Sequence, residues 1–434
     1  MNADAGAPAS SRHGLGWIVG LRLGRALRHR NYRLFFLGQG ISLVGTWLTR
    51  FATVWMVYRL THSGALLGLV AFCSQAPSSL FSPIAGVLVD RWNRHRTIVV
   101  MQVLAMLQSA ALALFAFTGW MTVWHLMVLG AVQGVINAFD MPARQSFLGQ
   151  MIEDRADLPN AIALNSSMVN GARLLGPVFA AVLVDLFGEG WCFAIDATSY
   201  IAVIVSLLLM TVPKRPAKPR SGHVWHEMAE GMRYVIREPT VRGVLLLLAA
   251  TSVLGGAYTT LLPMIAGETL GGGPHTLGTL MASAGLGALV GALYLASRET
   301  VTGLPAVIGY ATAALGVGLV GLWWASSVFV AIPLAFICGL GFMVQMASTN
   351  TIIQTVVDPD MLGRVMSLYG MAFFGGMPVG AVIQGTLADA IGPQRTLLCM
   401  GGAVLACAAA YRFAMPHVAG PPALVADGEV AEAP

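Results

Sequence analysis

Two arginines, Arg50 and Arg173, stand inside long apolar runs, and the nearest acids to them in depth are Asp140 and Asp196. An isolated charge in hydrocarbon costs about 3 kcal/mol or more, so such residues either pair or face a polar cavity. The chemistry within reach is therefore charge recognition and pairing. Bond-making machinery is missing: the nine histidines are scattered, and neither an HExxH helix nor a GxSxG elbow occurs. No P-loop is present, which excludes ATP as a directly bound energy source. Cys73, Cys192, Cys338, Cys399 and Cys407 lie in or beside apolar runs without paired spacing, so neither a disulfide framework nor a metal site is expected. No cofactor is called for, and a multispan enzyme is the least supported function class.

The surroundings of each arginine suggest a task. Arg50 lies about two-thirds of the way along the first apolar run, at a depth matching Asp196, and the plainest expectation is a structural ion pair. Arg173 follows Asn165, Ser166, Ser167 and Asn170 within the run "GARLLGP". A cavity-facing cation and a group that hydrogen-bonds neighbouring helices are both open readings for it. Gly171, Gly176 and Pro177 in the same run are expected to allow close helix packing and a kink.

Only 10% of the 434 residues are charged and 56% are hydrophobic, against about 25% charged in an average soluble domain. A span of the bilayer core needs about 20 apolar residues. Twelve such runs occur, near 34–58, 65–89, 98–118, 121–143, 160–186, 191–212, 241–264, 275–297, 304–325, 328–350, 362–388 and 394–413. With the N-terminus inside, 21 of the 25 basic residues fall in cytoplasmic segments, while Arg59 and Arg395 are external. That asymmetry predicts an even number of spans with both termini cytoplasmic. The net charge of +5 then reflects contact with anionic lipid, and no basic-aromatic pattern for nucleic acid appears.

Residues 1–33 are expected to form a cytoplasmic tail with no cleaved signal, in which Trp17, Leu21 and Leu27 suit an interfacial helix. Residues 34–213 and 241–413 form two six-span bundles, and 414–434 a cytoplasmic C-terminal tail. The linker 214–240 carries Trp225, Met228, Ala229, Met232 and Ile236 at helical spacing, as a helix lying on the cytoplasmic leaflet would. The halves repeat. At an offset of 204, residues 150–188 match 354–392 at ten of 39 positions, among them Asp185 with Asp389, Gly176 with Gly380 and Gly188 with Gly392. Parallel repeats of this kind describe a rocking transporter with a midplane site.

The stretch "GVLVDRWNRHR" concentrates charge at the end of the second run. Its Gly86, Leu88, Asp90, Arg91 and Arg94 are similar to the loop signature between the second and third helices of the major facilitator superfamily. Asn93 stands where that signature usually has Gly, and Asn tolerates the left-handed conformation best after Gly. "RNYRLFFLGQGISLVGTW", "NAFDMPARQSF", "NGARLLGP" and "FAIDATSYIA" resemble the branch holding enterobactin exporters and macrolide efflux proteins. The equivalent loop of the second half, "SRETVTG", lacks the signature. Asp90 could meet the positive end of the eleventh helix near Leu362, and Arg94 could pair with Asp140, with Arg144 beside them. Such contacts form a latch that exists only when the cytoplasmic side is closed.

The resemblance implies an all-α membrane protein of twelve transmembrane helices in two bundles. It also implies that the first, fourth, seventh and tenth helices line the cavity. Gln39, Thr46, Trp47, Gln133, Asn137, Tyr258, Gln345 and Asn350 would then offer hydrogen bonds and aromatic faces, a lining suited to a bulky amphiphile. The expected function is secondary export of a drug-like compound or siderophore across a bacterial inner membrane, by a monomer. Protons as the coupling ion are implied by the resemblance alone. A lysophospholipid or other lipid flippase on the same fold is the alternative.

Overall fold

The computed structural model describes residues 24–211, 224–298 and 300–414. Among them there is no strand; the chain is a series of long helices. The first half holds α1 (Arg30–Thr61), α2 (Gly64–Arg91), α3 (Arg94–Phe117), α4 (Val123–Leu148), α5 (Leu158–Phe187) and α6 (Glu189–Leu208). The second half holds α7 (Pro239–Thr260), α8 (Pro274–Ala296), α9 (Leu304–Trp324), α10 (Val328–Val356), α11 (Pro359–Ile391) and α12 (Pro393–Ala414). Eleven of these are long and apolar enough to cross a membrane. The twelfth, α1, has 32 residues, which at a 1.5 Å rise is long enough to span, but it carries Gln39, Thr46 and Arg50 along its length.

Turn chemistry sets the boundaries. Ser63 caps α2, its side chain accepting from the Leu66 N–H, and Gly188 and Gly392 end α5 and α11 at φ 84° and 89°. These two glycines are partners in the 204-residue repeat, and only a residue without Cβ takes that conformation at little cost. Asn93 behaves differently from expectation. It lies in the extended region at φ −72°, ψ 107°, and caps α3 by accepting from the Arg96 N–H. The position therefore works as an N-cap, a role that Asn fills well, and needs no left-handed backbone.

Two helices are interrupted. After Leu254, α7 tightens into a 3-10 turn over Gly256–Thr260, and the Gln384 amide of α11 donates to the freed Val253 and Leu254 carbonyls at 3.1 and 3.0 Å. In α11 a π turn over Met371–Gly375 divides the helix. Irregular backbone at membrane depth survives only where protein re-satisfies it or a cavity is lined.

Both segments flanking the first bundle attach to protein. Ala26 is fully buried, its N–H donating to Asn160, while Arg25 and His29 hold Asp157 at 2.9 and 3.1 Å. Leu27, expected to face lipid, packs instead on the cluster around Tyr32, Phe35 and Phe147; Trp17 and Leu21 lie outside the described residues. The linker helix Val224–Arg237 sits on the start of α11. Glu230 pairs with Arg364 at 3.0 Å, and the Tyr234 hydroxyl accepts from the Asp358 N–H. Met232 and Ile236 remain exposed, whereas Val235 is buried against the second half; the Trp225 side chain lies outside the described ones.

Candidate functional site

The two halves meet at the end of the bundle that carries the α1–α2, α5–α6, α7–α8 and α11–α12 turns. There α2 runs against α11: a Cβ at Gly64 would stand 2.6 Å from the Gly385 carbonyl oxygen, and one at Gly68 would strike that of Ala381. In the same way α5 runs against α8, where a Cβ at Gly278 would stand 2.5 Å from the Ala181 Cβ. Pseudo-equivalent acids close both seams. Asp389 of α11 accepts from Ser63 Oγ at 2.6 Å and from the Gly64 and Ala65 N–H groups at 2.5 and 3.1 Å. Asp185 of α5 meets His275 Nε2, at the start of α8, at 3.1 Å. The repeat legible as two matched aspartates is thus a pair of inter-half contacts.

Contact continues to mid-depth, where Ser79 Oγ donates to the Phe374 carbonyl at 3.0 Å and a Cβ at Gly285 would stand 3.6 Å from the Arg173 carbonyl oxygen. Beyond that depth the walls part. A Cβ added at Gly86, Gly171, Gly363, Gly370 or Gly375 would meet open space. Gly171 was expected at a tight helix contact and has none. Gly176 does make one: a Cβ there would strike that of Trp47, so its hydrogen lets α5 close on α1. The neighbouring Pro177 carbonyl would stand 3.0 Å from a Cβ at Gly278, across the halves.

Just inside the closed end, Trp47 of α1 joins the two arginines. The Arg50 guanidinium lies 5.0 Å from its ring centre and the Arg173 guanidinium 5.6 Å. Among the described residues no ion-pair contact links Arg50 to Asp196, contrary to the sequence expectation. Asp196 is buried, accepts from Ser109 Oγ at 2.8 Å, and packs where a Gly45 Cβ would stand, on the α3 and α6 side. Arg50 instead lies deep among protein atoms while keeping an accessible surface, as a residue on a cavity wall does. Arg173 is half-buried, and its Nε has no hydrogen-bond partner. Tyr258, contributed by the other half, lies within electrostatic range of Arg173.

The neutral residues expected to line the cavity divide. Gln39, Tyr258 and Gln345 are buried, at 4%, 3% and 0% exposure, so they belong to helix packing more than to a wetted wall. Thr46, Gln133, Asn137, Asn170 and Asn350 are half-buried. Thr46 donates to the Ser42 carbonyl, Gln133 to Asn137 at 3.1 Å, and Asn170 to the Ser166 carbonyl, while Asn350 accepts from Gln354. Sequence reading missed the wall of the second half. Phe342 packs against the α7 turn where a Gly256 Cβ would stand; Phe373 stacks on Phe342 at 5.8 Å and on Tyr369 at 6.4 Å, and Phe374 meets Phe373 edge-on at 4.8 Å. Phe373 and Phe374 ride on the π turn of α11, and Phe374 and Met371 are about half exposed. The run "MAFFGG" could have drawn notice, since two adjacent aromatics before two glycines suit neither face of a regular spanning helix.

At the open end, Arg91 and Arg94 flank the α2–α3 turn, and Trp92 between them stacks on Phe139 at 5.9 Å with the rings 10° apart. Asp140, the next residue, is buried; it accepts from Gln102 at 2.9 Å and pairs with Arg144 one turn further along α4. The Asp90 side chain lies outside the described ones.

Two six-helix bundles related by a parallel repeat, joined at one end around a wall of polar and aromatic groups, define a membrane transporter of the major facilitator type. The chain belongs to the family described as transmembrane secretion effector, whose model matches residues 25–424. Among curated relatives it is 25% identical over 389 residues to the staphyloferrin A transporter of Staphylococcus aureus, covering 88% of this chain and 95% of that one. It is 24% identical to macrolide efflux protein A of Streptococcus pyogenes, over 88% and 96% of the two chains. Enterobactin exporter EntS of Escherichia coli is likewise 24% identical, over 90% and 92%. The fold is also that of a solved bacterial homologue of the human lysosomal transporter Spinster, inward-facing and unoccupied. That structure has TM-score 0.68 and 15% identity, covering 89% of this chain and 97% of the other.

Proposed function

We propose that this protein is a secondary active exporter that moves a bulky amphiphilic small molecule out of the cytoplasm by alternating access, coupled to proton entry. The observation that carries the reading is the one-sided closure: Asp389 on the α2 N-terminus and Asp185 on His275 join the halves at one end, while at the other the α11 segment Pro359–Gly370 makes no hydrogen bond or ion pair with the first half among the described residues. The basic residues assign the open end to the cytoplasm, so the conformation is the loading state, with the cavity presented inward. Rocking the halves would break both aspartate contacts and bring the α2–α3 turn toward α11. The protein sits in a bacterial inner membrane with both termini cytoplasmic and works as a monomer. The curated relatives supply the kind of cargo, a siderophore or macrolide-sized compound.

For the coupling proton the proposal points to Asp196 and Asp140, the two buried acids of the first half outside the seams that lie at membrane depth on α6 and α4. Purified protein in inside-out vesicles tests the reading. Drug-like and siderophore cargoes should accumulate when the lumen is acid, and a protonophore should abolish accumulation without any nucleotide being consumed. Transfer of a labelled lysophospholipid between leaflets with no accumulation of soluble cargo would replace the exporter with a flippase. Reporter fusions should place the C-terminus inside.

A further inference from the structure

The pair of arginines around Trp47 says something about the charge of the cargo. Both lie deep in the protein, both touch one indole, and the two cations repel each other, with the Asp196 carboxylate a further charge felt by Arg50. Among the described residues no acid makes an ion-pair contact with either arginine, and Asp196 acts on Arg50 only from a distance. Asp196 is turned to Ser109, Asp140 to Arg144 and Gln102, and Glu189 is held by Arg59 through two hydrogen bonds of 2.8 and 3.0 Å. Two cations near one another in a low-dielectric wall repel, and an arrangement that keeps them together is stabilised by an anion between them. The unpartnered Nε of Arg173 is a donor awaiting an acceptor. Guanidinium groups, with planar forked donors, suit carboxylates and other oxyanions. From Tyr258 the wall continues through Phe342, Phe373 and Phe374, a row of rings ending in an accessible face.

We infer that the cargo is an organic anion with an aromatic or broad apolar body, its acidic group held by Arg50 and Arg173 beside Trp47 and its body laid along the Phe342, Phe373 and Phe374 wall. The inference rests on the exporter reading for what happens after binding, and binding itself tests it separately. A cationic amphiphile would meet two like charges at this depth and be rejected, so the site selects by repulsion as well as attraction.

A matched pair of probes decides it: pyrenebutyrate and pyrenebutylamine, with one arene and opposite charges. Equilibrium binding to the purified full chain in detergent, followed by pyrene fluorescence, should favour the acid by tenfold or more. Arg50→Gln and Arg173→Gln should each weaken the acid about tenfold and leave the amine unchanged or improved. Arg50→Lys and Arg173→Lys should restore part of the lost affinity, which a merely misfolded variant would not. Phe374→Ala should weaken both probes alike, because it removes ring contact and no charge. Equal binding of acid and amine, no binding of the acid, or glutamine variants that lose both probes equally would overturn the inference. Binding of the acid without its accumulation in energised vesicles would leave the anion site standing and remove the exporter reading. Accumulation of the amine but not the acid would do the opposite.

Discussion

Asp389 near the end of α11 accepts a hydrogen bond from Ser63 Oγ at 2.6 Å, and its carboxylate also takes the first N–H groups of α2, so one half of the molecule caps a helix of the other. The matching Asp185, one repeat earlier, meets His275 at the start of α8. Closure at this end therefore depends on carboxylates placed at positive helix ends across the seam.

Replacing Asp389 by Asn keeps the shape and removes the charge. Cap and dipole contacts of this type contribute about 1–2 kcal/mol, which is roughly a tenfold change in the ratio of closed to open forms. Spin labels across the α2–α11 seam should report a longer distance gaining population in Asp389→Asn. An unchanged distance distribution would mean that the backbone packing of Gly64 on Gly385 holds the seam without the charge.

Closure should also respond to acid through Glu268, on the π turn Ile265–Thr269 after α7, whose neighbour Gly267 abuts Tyr58. Loss of water pushes the Glu268 carboxyl above its ordinary value of 4.5; His62 opposes the shift and Asp389 adds to it. A carboxyl whose value is raised in the closed form binds its proton more tightly there, so its contribution to closure is full below 4.5 and fades as pH climbs through the raised value. The same spin-label pair, titrated from about pH 4 to pH 7, should show the seam loosening upward, and Glu268→Gln should flatten that slope. A slope that survives the substitution assigns it to another group.

Arg59 and Glu189 join α1 to α6 through the forked pair described above, with Glu189 buried and Arg59 largely exposed. Arg59→Ala strands a buried carboxylate and should lower stability by about 1–3 kcal/mol, seen as a lower melting temperature in detergent. Arg59→Lys keeps the charge without the fork and should fall between. A melting temperature equal to wild type in Arg59→Ala would show that water replaces the arginine at no cost.

At the opposite end a latch is proposed for Asp90, Arg91, Arg94, Asp140 and Arg144, and its disruption should lower transport with folding intact. Asp90→Asn should slow export several-fold at matched protein levels. Asp140→Asn and Arg144→Ala, which remove the two sides of one ion pair, should be non-additive in export rate. Strict additivity would dissolve the pair as a functional unit.

Much of this architecture was open to reading in one dimension because a bilayer imposes one-dimensional rules. A span needs a fixed length of apolar residues, loops are sorted by basic charge, and a duplicated half leaves Asp185 and Asp389 in register with the glycines that end their helices. The sequence alone determined the twelve helices, the two halves, the linker and the family resemblance on that basis. Where side chains point between helices was decided only by tertiary packing. Arg50 and Asp196 agree in depth yet face different neighbours, since Gly45 seats Asp196 against α1 while Arg50, more than a turn further, turns to Trp47. Gln345 and Gln39 looked like cavity polar groups and proved buried, because the rotation of a helix about its own axis is set by whichever face its neighbours close upon. The same reason hid the aromatic wall: Phe373 and Phe374 reach one surface only because a π turn adds a residue to α11, and that extra residue is stabilised by contacts that no linear pattern records.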